Sequence, residues 1–365
     1  MTEPTETSET TGTTGTTGTM RAALLRGWND LAVAEVPKPT CGPREVLLKV
    51  NACGLCGTDL KMVKGGFEGR WPPSLPFVIG HEWTGRVEQI GEQLENLPYA
   101  VGDRVVAENH AGCGACPMCR AGRYNLCEGV KRPGYKLYGH TAPGALAEYA
   151  VRPPVVLHRI PPEISDTEAA LINQGAMTVH ALRRVEFRAG STVAVFGPGL
   201  LGMLTAAVAR AAGAVEVVMV GRGHRLELAE RMGATRVVDY EKGDPVRGVR
   251  AVTDGNGVDY TFDCSGNVGV LQQALDTVRR GGKVAVLGLA GGEMATVSPD
   301  RLVLDEIDLL GIRSSPNAYA PMIELMATGA VDVSPLVTHV YELAEVEKAF
   351  DALRSRAAIR PIVTL

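Results

Sequence analysis

The stretch STVAVFGPGLLGMLTAAVARAAGAVEVVMVG, residues 191–221, constrains the fold most. A short β-branched run ends at a glycine turn, a leucine- and alanine-rich run then reads as a helix stopping at Gly213, and a second β-branched run follows. The alternation continues through the helical RLELAERMGA, the strand VDYTFDCSG, the helical VGVLQQALDTVRR and the strand KVAVLGL. Strands separated by helices of this length pair in parallel through crossovers, so this half of the chain is an α/β, doubly wound parallel sheet.

The rest has a different texture. With 365 residues the chain has length for about two domains. Residues 1–19 hold the low-complexity TGTTGTTGT, which has nothing to bury and reads as a disordered leader. From Met20 to Asn173, short apolar runs such as RAALL and EVLLKVNACG lie between prolines and glycines, as expected of a mostly β first domain with long loops. The dinucleotide domain is expected over 174–312. Residues 313–365 carry helical patterns at 321–330 and 343–355 around a short strand at Val337–Val340, and are expected to return to the first domain.

Within the opening stretch, Gly197, Gly199 and Gly202 have GxGxxG spacing between strand and helix, the context a dinucleotide pyrophosphate requires. Glycines let backbone approach the phosphates, and Leu200 and Leu201 open the helix whose positive end faces them. The bland alternative is a tight turn without ligand. The second strand ends in Gly221 and Arg222, where an acid would take the ribose hydroxyls of NAD. Glycine leaves room and a guanidinium holds a 2′-phosphate, so NADP is expected over NAD. His224 and Arg225 join that pocket, or Arg225 is a solvated helix-start residue.

Cys113, Cys116, Cys119 and Cys127 fall within GCGACPMCRAGRYNLC, among turn residues that leave this lobe, about residues 110–130, little core of its own. Four thiolates at this spacing close a tetrahedral zinc shell, while a disulfide pair is the alternative. Nothing before them resembles a secretory signal, which favours a reducing, cytoplasmic setting and a metal. No apolar run is long enough to span a membrane. A net charge of −4 and 5% aromatics speak against nucleic acid as partner. A second constellation, Cys56 in CGTD with His81 and Glu82 in GHE, supplies one thiolate, one imidazole and one carboxylate for an open zinc site.

Taken together, CGTD at 56–59, GHE at 80–82, the cysteine lobe, GALAEYAV at 144–151, GPGLLG at 197–202 and FDALRSRAAIRPIV at 350–363 resemble the zinc-dependent medium-chain alcohol dehydrogenases over Met20–Leu365, nearest the polyol, threonine and secondary-alcohol branches. The resemblance implies a GroES-like catalytic domain beside a Rossmann domain, and an alcohol or carbonyl substrate. It further implies Cys56 and His81 as ligands of a catalytic zinc, Glu82 as a ligand exchanging with water, and Asp59 behind the histidine. Thr58 would take the substrate proton, Gly288 and Leu289 would back the nicotinamide, and Arg360 would reach a cofactor phosphate. The four cysteines would hold a structural zinc. Family members are dimers or tetramers, so a homo-oligomer is expected.

Three positions depart from the family. Its remaining ligand falls in LINQGAMTVHAL, where Asn173 and Gln174 stand instead; Gln174 either ligates through its amide or hydrogen-bonds the zinc water. Lys61 replaces a relay histidine, leaving the proton to exit through ribose hydroxyls, Lys61 or water, or making Lys61 a cofactor-phosphate partner. Gly221 and Arg222 replace the ribose acid. Two rival functions remain open: an NADPH-dependent C=C or C=N reductase, and a non-catalytic zinc module contacting protein or nucleic acid through Arg120, Arg123, Lys131 and Arg132.

Overall fold

The computed structural model describes residues 18–131 and 135–365. The leader expected over 1–19 lies outside the described residues except for its last two, and Thr19 already opens a strand paired with Pro37. Arg132 also lies outside them.

The alternating half forms a six-stranded parallel sheet. Its spatial order is Arg236–Asp239, Glu216–Gly221, Thr192–Phe196, Val258–Asp263, Val278–Val286 and Asp308–Gly311, so the third, second, first, fourth, fifth and sixth strands lie side by side. Alternate side chains leave opposite faces. Val193 and Val195 enter a core with Leu204 and Met219, whereas Ala194 and Phe196 meet Val218, Val249 and Leu275 on the other face. Burial on both sides explains the continuous apolar runs. The order reverses between the first and fourth strands, and the glycine turn of residues 197–202 opens at that switch point.

Several local expectations shift. The helix read through VGVLQQALDTVRR stops at Thr277, because Val278 pairs with Val258 and begins the fifth strand. The edge strands Arg236–Asp239 and Asp308–Gly311, four residues each, are too short and too charged to announce themselves. The late elements are Tyr319–Ala327, His339–Glu342 and Val346–Arg354, each offset by a few residues from its expected span.

The first domain centres on a seven-stranded sheet in which Val46–Gly54 pairs with Glu82–Ile90, Tyr149–Arg152 and Pro361–Thr364. Leu48, Val50, Trp83, Leu146 and Phe350 fill its core. Ile362 lies opposite Gly54, so the chain's end runs beside the strand that delivers Cys56. Tyr319, Met322 and Leu336 instead share a core with helix Ile172–Arg184, so the return to the first sheet is made by His339 onward. Among the described residues no helix is long and apolar enough to cross a membrane.

Candidate active site and metal centres

Cys56 caps the helix Gly57–Val63, and this local geometry builds the first half of the site. The Thr58 N–H donates to the Cys56 sulfur at 3.3 Å, and the Cys56 N–H donates to Asp59 Oδ2 at 2.9 Å. Gly80, at φ 96, turns the chain so that His81 and Glu82 point to the same place; a Cβ there would crowd Leu146 N at 2.7 Å. The Cys56 sulfur then stands 3.3 Å from His81 Nε2, which is 3.6 Å from Glu82 Oε1. All three side chains are buried, and their donor atoms lie within 4.8 Å of one another.

Charge at this spot is telling. Burial opposes protonation of His81, yet Cys56 and Asp59 raise its pKa well above the ordinary value. Burial likewise pushes the Asp59 carboxyl up, but the facing His81 and the Cys56 N–H hold it below the usual range. The cluster therefore draws positive charge into a dry site, and its sulfur, nitrogen and oxygen donors fit zinc. Asp59 Oδ1 faces His81 Nδ1 at 3.3 Å, leaving Nε2 for a metal.

The helix Ile172–Arg184 brings Gln174 to this cluster, where its amide nitrogen donates to Glu82 Oε1 at 2.6 Å. Asn173 points elsewhere and donates to the Tyr319 hydroxyl at 2.7 Å. Arg360 is buried, its Nε lies 3.3 Å from Glu82 Oε2, and it donates to the Leu55 carbonyl at 2.7 Å. It thus neutralises one Glu82 oxygen while Gln174 engages the other. His140, which the sequence did not single out, stands with its ring centroid 4.5 Å from that of His81 and edge-on to Trp71. A lone histidine in YGHTAPG carries no spacing signal. Phe77, Trp83 and Tyr138 are buried in the core of the first domain.

On the cofactor side, Gly199 caps the helix Leu200–Ala211, and a Cβ there would meet open space. At Gly202 a Cβ would overlap the Gly197 carbonyl oxygen, so the helix approaches the turn closely because residue 202 is glycine, while Gly197, at φ 99, takes the turn itself. Leu200 is buried behind the turn and Leu201 half-buried. A Cβ on Gly221 would overlap Pro198, which leaves no space for an acid. Arg222 is exposed and pairs with Glu241 at 2.8 Å. Arg225 is half-buried at the start of its helix and donates to the Arg356 and Ala358 carbonyls at 3.0 and 3.3 Å. Thr58 is half-buried beside Cys56, and the Lys61 ammonium donates to the Leu289 carbonyl at 3.3 Å, just beyond Gly288. That contact joins the first domain to the end of the fifth cofactor strand.

In the lobe, the four sulfurs of Cys113, Cys116, Cys119 and Cys127 also lie within 4.8 Å of one another, and all four cysteines are free. Cys116 and Cys127 sulfurs are 3.9 Å apart, far beyond a disulfide but close to the ~3.8 Å edge of a tetrahedron with ~2.3 Å zinc–sulfur bonds. N–H groups of Cys113, Cys116, Cys119 and Gly129 point at these sulfurs, and those of Cys119 and Glu128 pull the Cys116 thiol down to about 6. Such a shell has no open position for substrate.

The comparisons agree with this geometry. The alcohol dehydrogenase GroES-like domain matches residues 42–162, and the zinc-binding dehydrogenase domain matches 201–328. A sorbitol dehydrogenase of Bacillus subtilis (strain 168) is 35% identical over 335 residues, 91% of this chain and 93% of that protein. An L-threonine 3-dehydrogenase of Shewanella woodyi is 35% identical over 326 residues, 88% of this chain and 93% of its own. The solved structure of a zinc-binding dehydrogenase from Sinorhizobium meliloti 1021, bound to NADP, superposes with a TM-score of 0.86 at 31% identity, covering 95% of this chain and all of that one (100%). With the open donor cluster of Cys56, His81 and Glu82 set beside a dinucleotide sheet, the chain belongs to the zinc-dependent medium-chain alcohol dehydrogenases and is an oxidoreductase interconverting alcohols and their carbonyl products.

Proposed function

We propose that this enzyme prefers NADP, holds two zinc ions, and oxidises a secondary alcohol flanked by a second hydroxyl or an amino group, acting in the cytoplasm as a homo-oligomer. The cofactor preference is carried by one observation: Pro198 occupies the space an acid at Gly221 would need, and Arg222 follows directly. The substrate class is supported by the relatives' names, since sorbitol and threonine both carry a secondary hydroxyl beside another polar group.

Cys56, His81 and Glu82 would hold the catalytic ion, and the four lobe cysteines the structural one. Bound at the first site, zinc supplies Lewis acidity that lowers the pKa of the substrate hydroxyl. Asp59 fixes the His81 tautomer, and Thr58 takes the substrate proton and passes it to water. Gln174 and Arg360 hold Glu82 from its two oxygens, so the carboxylate keeps one orientation. Lys61 ties the first domain to the cofactor edge through Leu289. Assembly is supported by the strand Asp308–Gly311, whose outer edge has no partner among the described residues and which carries the exposed Leu309 and follows the helix of the exposed Val303 and Leu304.

Turnover of a panel of diols, polyols, amino alcohols and enones with NADP and NAD in parallel, with and without a zinc chelator, tests this reading. Vicinal secondary alcohols with NADP should turn over fastest, and chelation should abolish activity. Activity confined to NAD, or unchanged after demonstrated loss of zinc, would refute it.

A further inference from the structure

Three stretches of chain converge on a small pocket of about 60 Å³ beside the cysteine lobe and apart from the Cys56, His81 and Glu82 cluster. Arg123, Asn125 and Leu126 come from the cysteine lobe, His180 and Arg184 from the end of helix Ile172–Arg184, and Gly311 and Arg313 from the segment leaving the cofactor sheet. None of these three arginines forms an ion pair among the described residues. In a chain of net charge −4 such a concentration runs against the overall sign. Arg313 is steadied by the Tyr135 hydroxyl at 3.2 Å, and Asn125 Nδ2 donates to the Arg313 carbonyl at 2.8 Å.

A second observation points to a ligand. Asn125 is buried, and its Oδ1 has no hydrogen-bond partner. His180 is kept neutral, its pKa pushed down to about 4 by burial and then by Arg184, Arg183 and Arg123. At ~10–15 Å³ per water, the pocket has room for about four to six waters, roughly the size of one tetrahedral oxyanion.

We propose that this pocket binds a phosphate group, either inorganic phosphate or the head of a small phosphate monoester. Guanidinium forks of Arg123, Arg184 and Arg313 take its oxygens, and Asn125 Oδ1 accepts the hydrogen bond of a P–OH. Sulfate has no proton at neutral pH and would leave that buried acceptor unpaired, whereas inorganic phosphate carries the proton as its dianion and a monoester carries it as its monoanion. An occupied pocket would brace the lobe against both the helix carrying Gln174 and the cofactor sheet.

Calorimetric titration of the zinc-loaded full-length protein at constant ionic strength, with inorganic phosphate, glycerol 1-phosphate and sulfate, decides the matter. NADP is kept saturating so that Arg222 is occupied. One phosphate per chain should bind, about ten-fold more tightly than sulfate. Arg123→Gln and Arg184→Gln should each weaken it about ten-fold while melting like the parent without phosphate, and Arg222→Gln should leave it unchanged. If one variant fails to fold, the other decides. Whichever of phosphate and monoester binds more tightly identifies the source. Equal binding of sulfate, no saturable phosphate binding, or full binding by the two variants would overturn the site. So would dissociation of the oligomer on Arg123 or Arg184 substitution without any phosphate binding, which would assign the arginines to a subunit interface. Because Arg222 is tested separately, failure here leaves the cofactor reading standing, and the reverse.

Discussion

Asp59 engages both proposed zinc ligands with one carboxylate: Oδ2 takes the Cys56 N–H and Oδ1 faces His81 Nδ1. An asparagine cannot serve both, because its amide would present N–H to one of two N–H groups. Asp59→Asn should therefore lower zinc retention against a chelator, and activity with it, by roughly 10–100-fold, without unfolding the domain. Retention equal to the parent's would show that the carboxylate is not the orienting group. On the cofactor side, Arg222 is engaged by the Glu241 carboxylate, which a 2′-phosphate must displace. Removing that competitor by Glu241→Gln should tighten NADPH about three- to ten-fold and leave NADH nearly unchanged, whereas Arg222→Asp should weaken NADPH selectively. Dissociation constants from cofactor fluorescence check both, and equal effects on the two cofactors would place the pair outside the phosphate pocket. Much of this was readable in the chain, because CGTD and GHE keep their donors local. The contacts of Gln174 and its neighbour were not: adjacent helix residues point about 100° apart, and only the packed helix shows that Gln174 meets Glu82 while Asn173 meets Tyr319.

At the level of elements, the strand–turn–helix of residues 192–211 and the second strand meet at Pro198 and Gly221 and would act on the proposed cofactor preference as a unit. Gly221 does not have a positive φ, so its backbone would tolerate a side chain; Pro198 in the neighbouring turn is what forbids one. Gly221→Asp alone should destabilise the protein by about 1–3 kcal/mol through overpacking and fail to create good NAD binding. With Pro198→Ala added, stability should recover and NADH should gain over NADPH, a coupling that a double-mutant cycle measures. Additive effects would show that the two residues do not compete for space. The cysteine lobe is a second such unit, held by its sulfurs and by the Tyr124 and Asn317 contacts rather than by a core. Cys116→Ser should lose about one of two zinc ions and lower the melting temperature by at least roughly 5 °C, read by metal analysis and calorimetry. Retention of two zinc ions would refute the four-thiolate shell. Interior strands were legible because burial on both faces makes them apolar throughout. Arg236–Asp239 and Asp308–Gly311 were not, being short, one-sided edges with charged residues, and Val278–Arg280 read as helix because only pairing with Val258 draws that segment into the sheet.

Across the whole molecule, chain order and spatial order part company at the C-terminus. Pro361–Thr364 inserts beside Val46–Gly54, and Arg360 thereby reaches Glu82, a contact between residues 278 positions apart that no local pattern could disclose. The cofactor sheet ends on its sixth strand with unpaired backbone groups, whereas its other edge carries the Arg236–Glu216 pair. Among the described residues, the sixth-strand edge combines free outer hydrogen-bonding groups with three exposed apolar side chains: Leu309 on the strand, and Val303 and Leu304, which are 73% and 78% exposed, on the preceding helix. Two copies meeting there through a twofold axis would pair this strand with itself in antiparallel fashion, extending the sheet and covering those side chains. A lysine at the centre of such an edge meets its own symmetry mate, so one substitution introduces two like charges. Leu309→Lys should weaken the dimer at least about ten-fold, read by sedimentation velocity over a concentration series. Leu309→Val, which preserves an apolar β-forming side chain, should leave it close to the parent. A dimer equally tight with lysine would assign assembly to another face, and a parent monomeric at every concentration would remove the homo-oligomer from the proposed function while leaving the zinc and cofactor chemistry untouched.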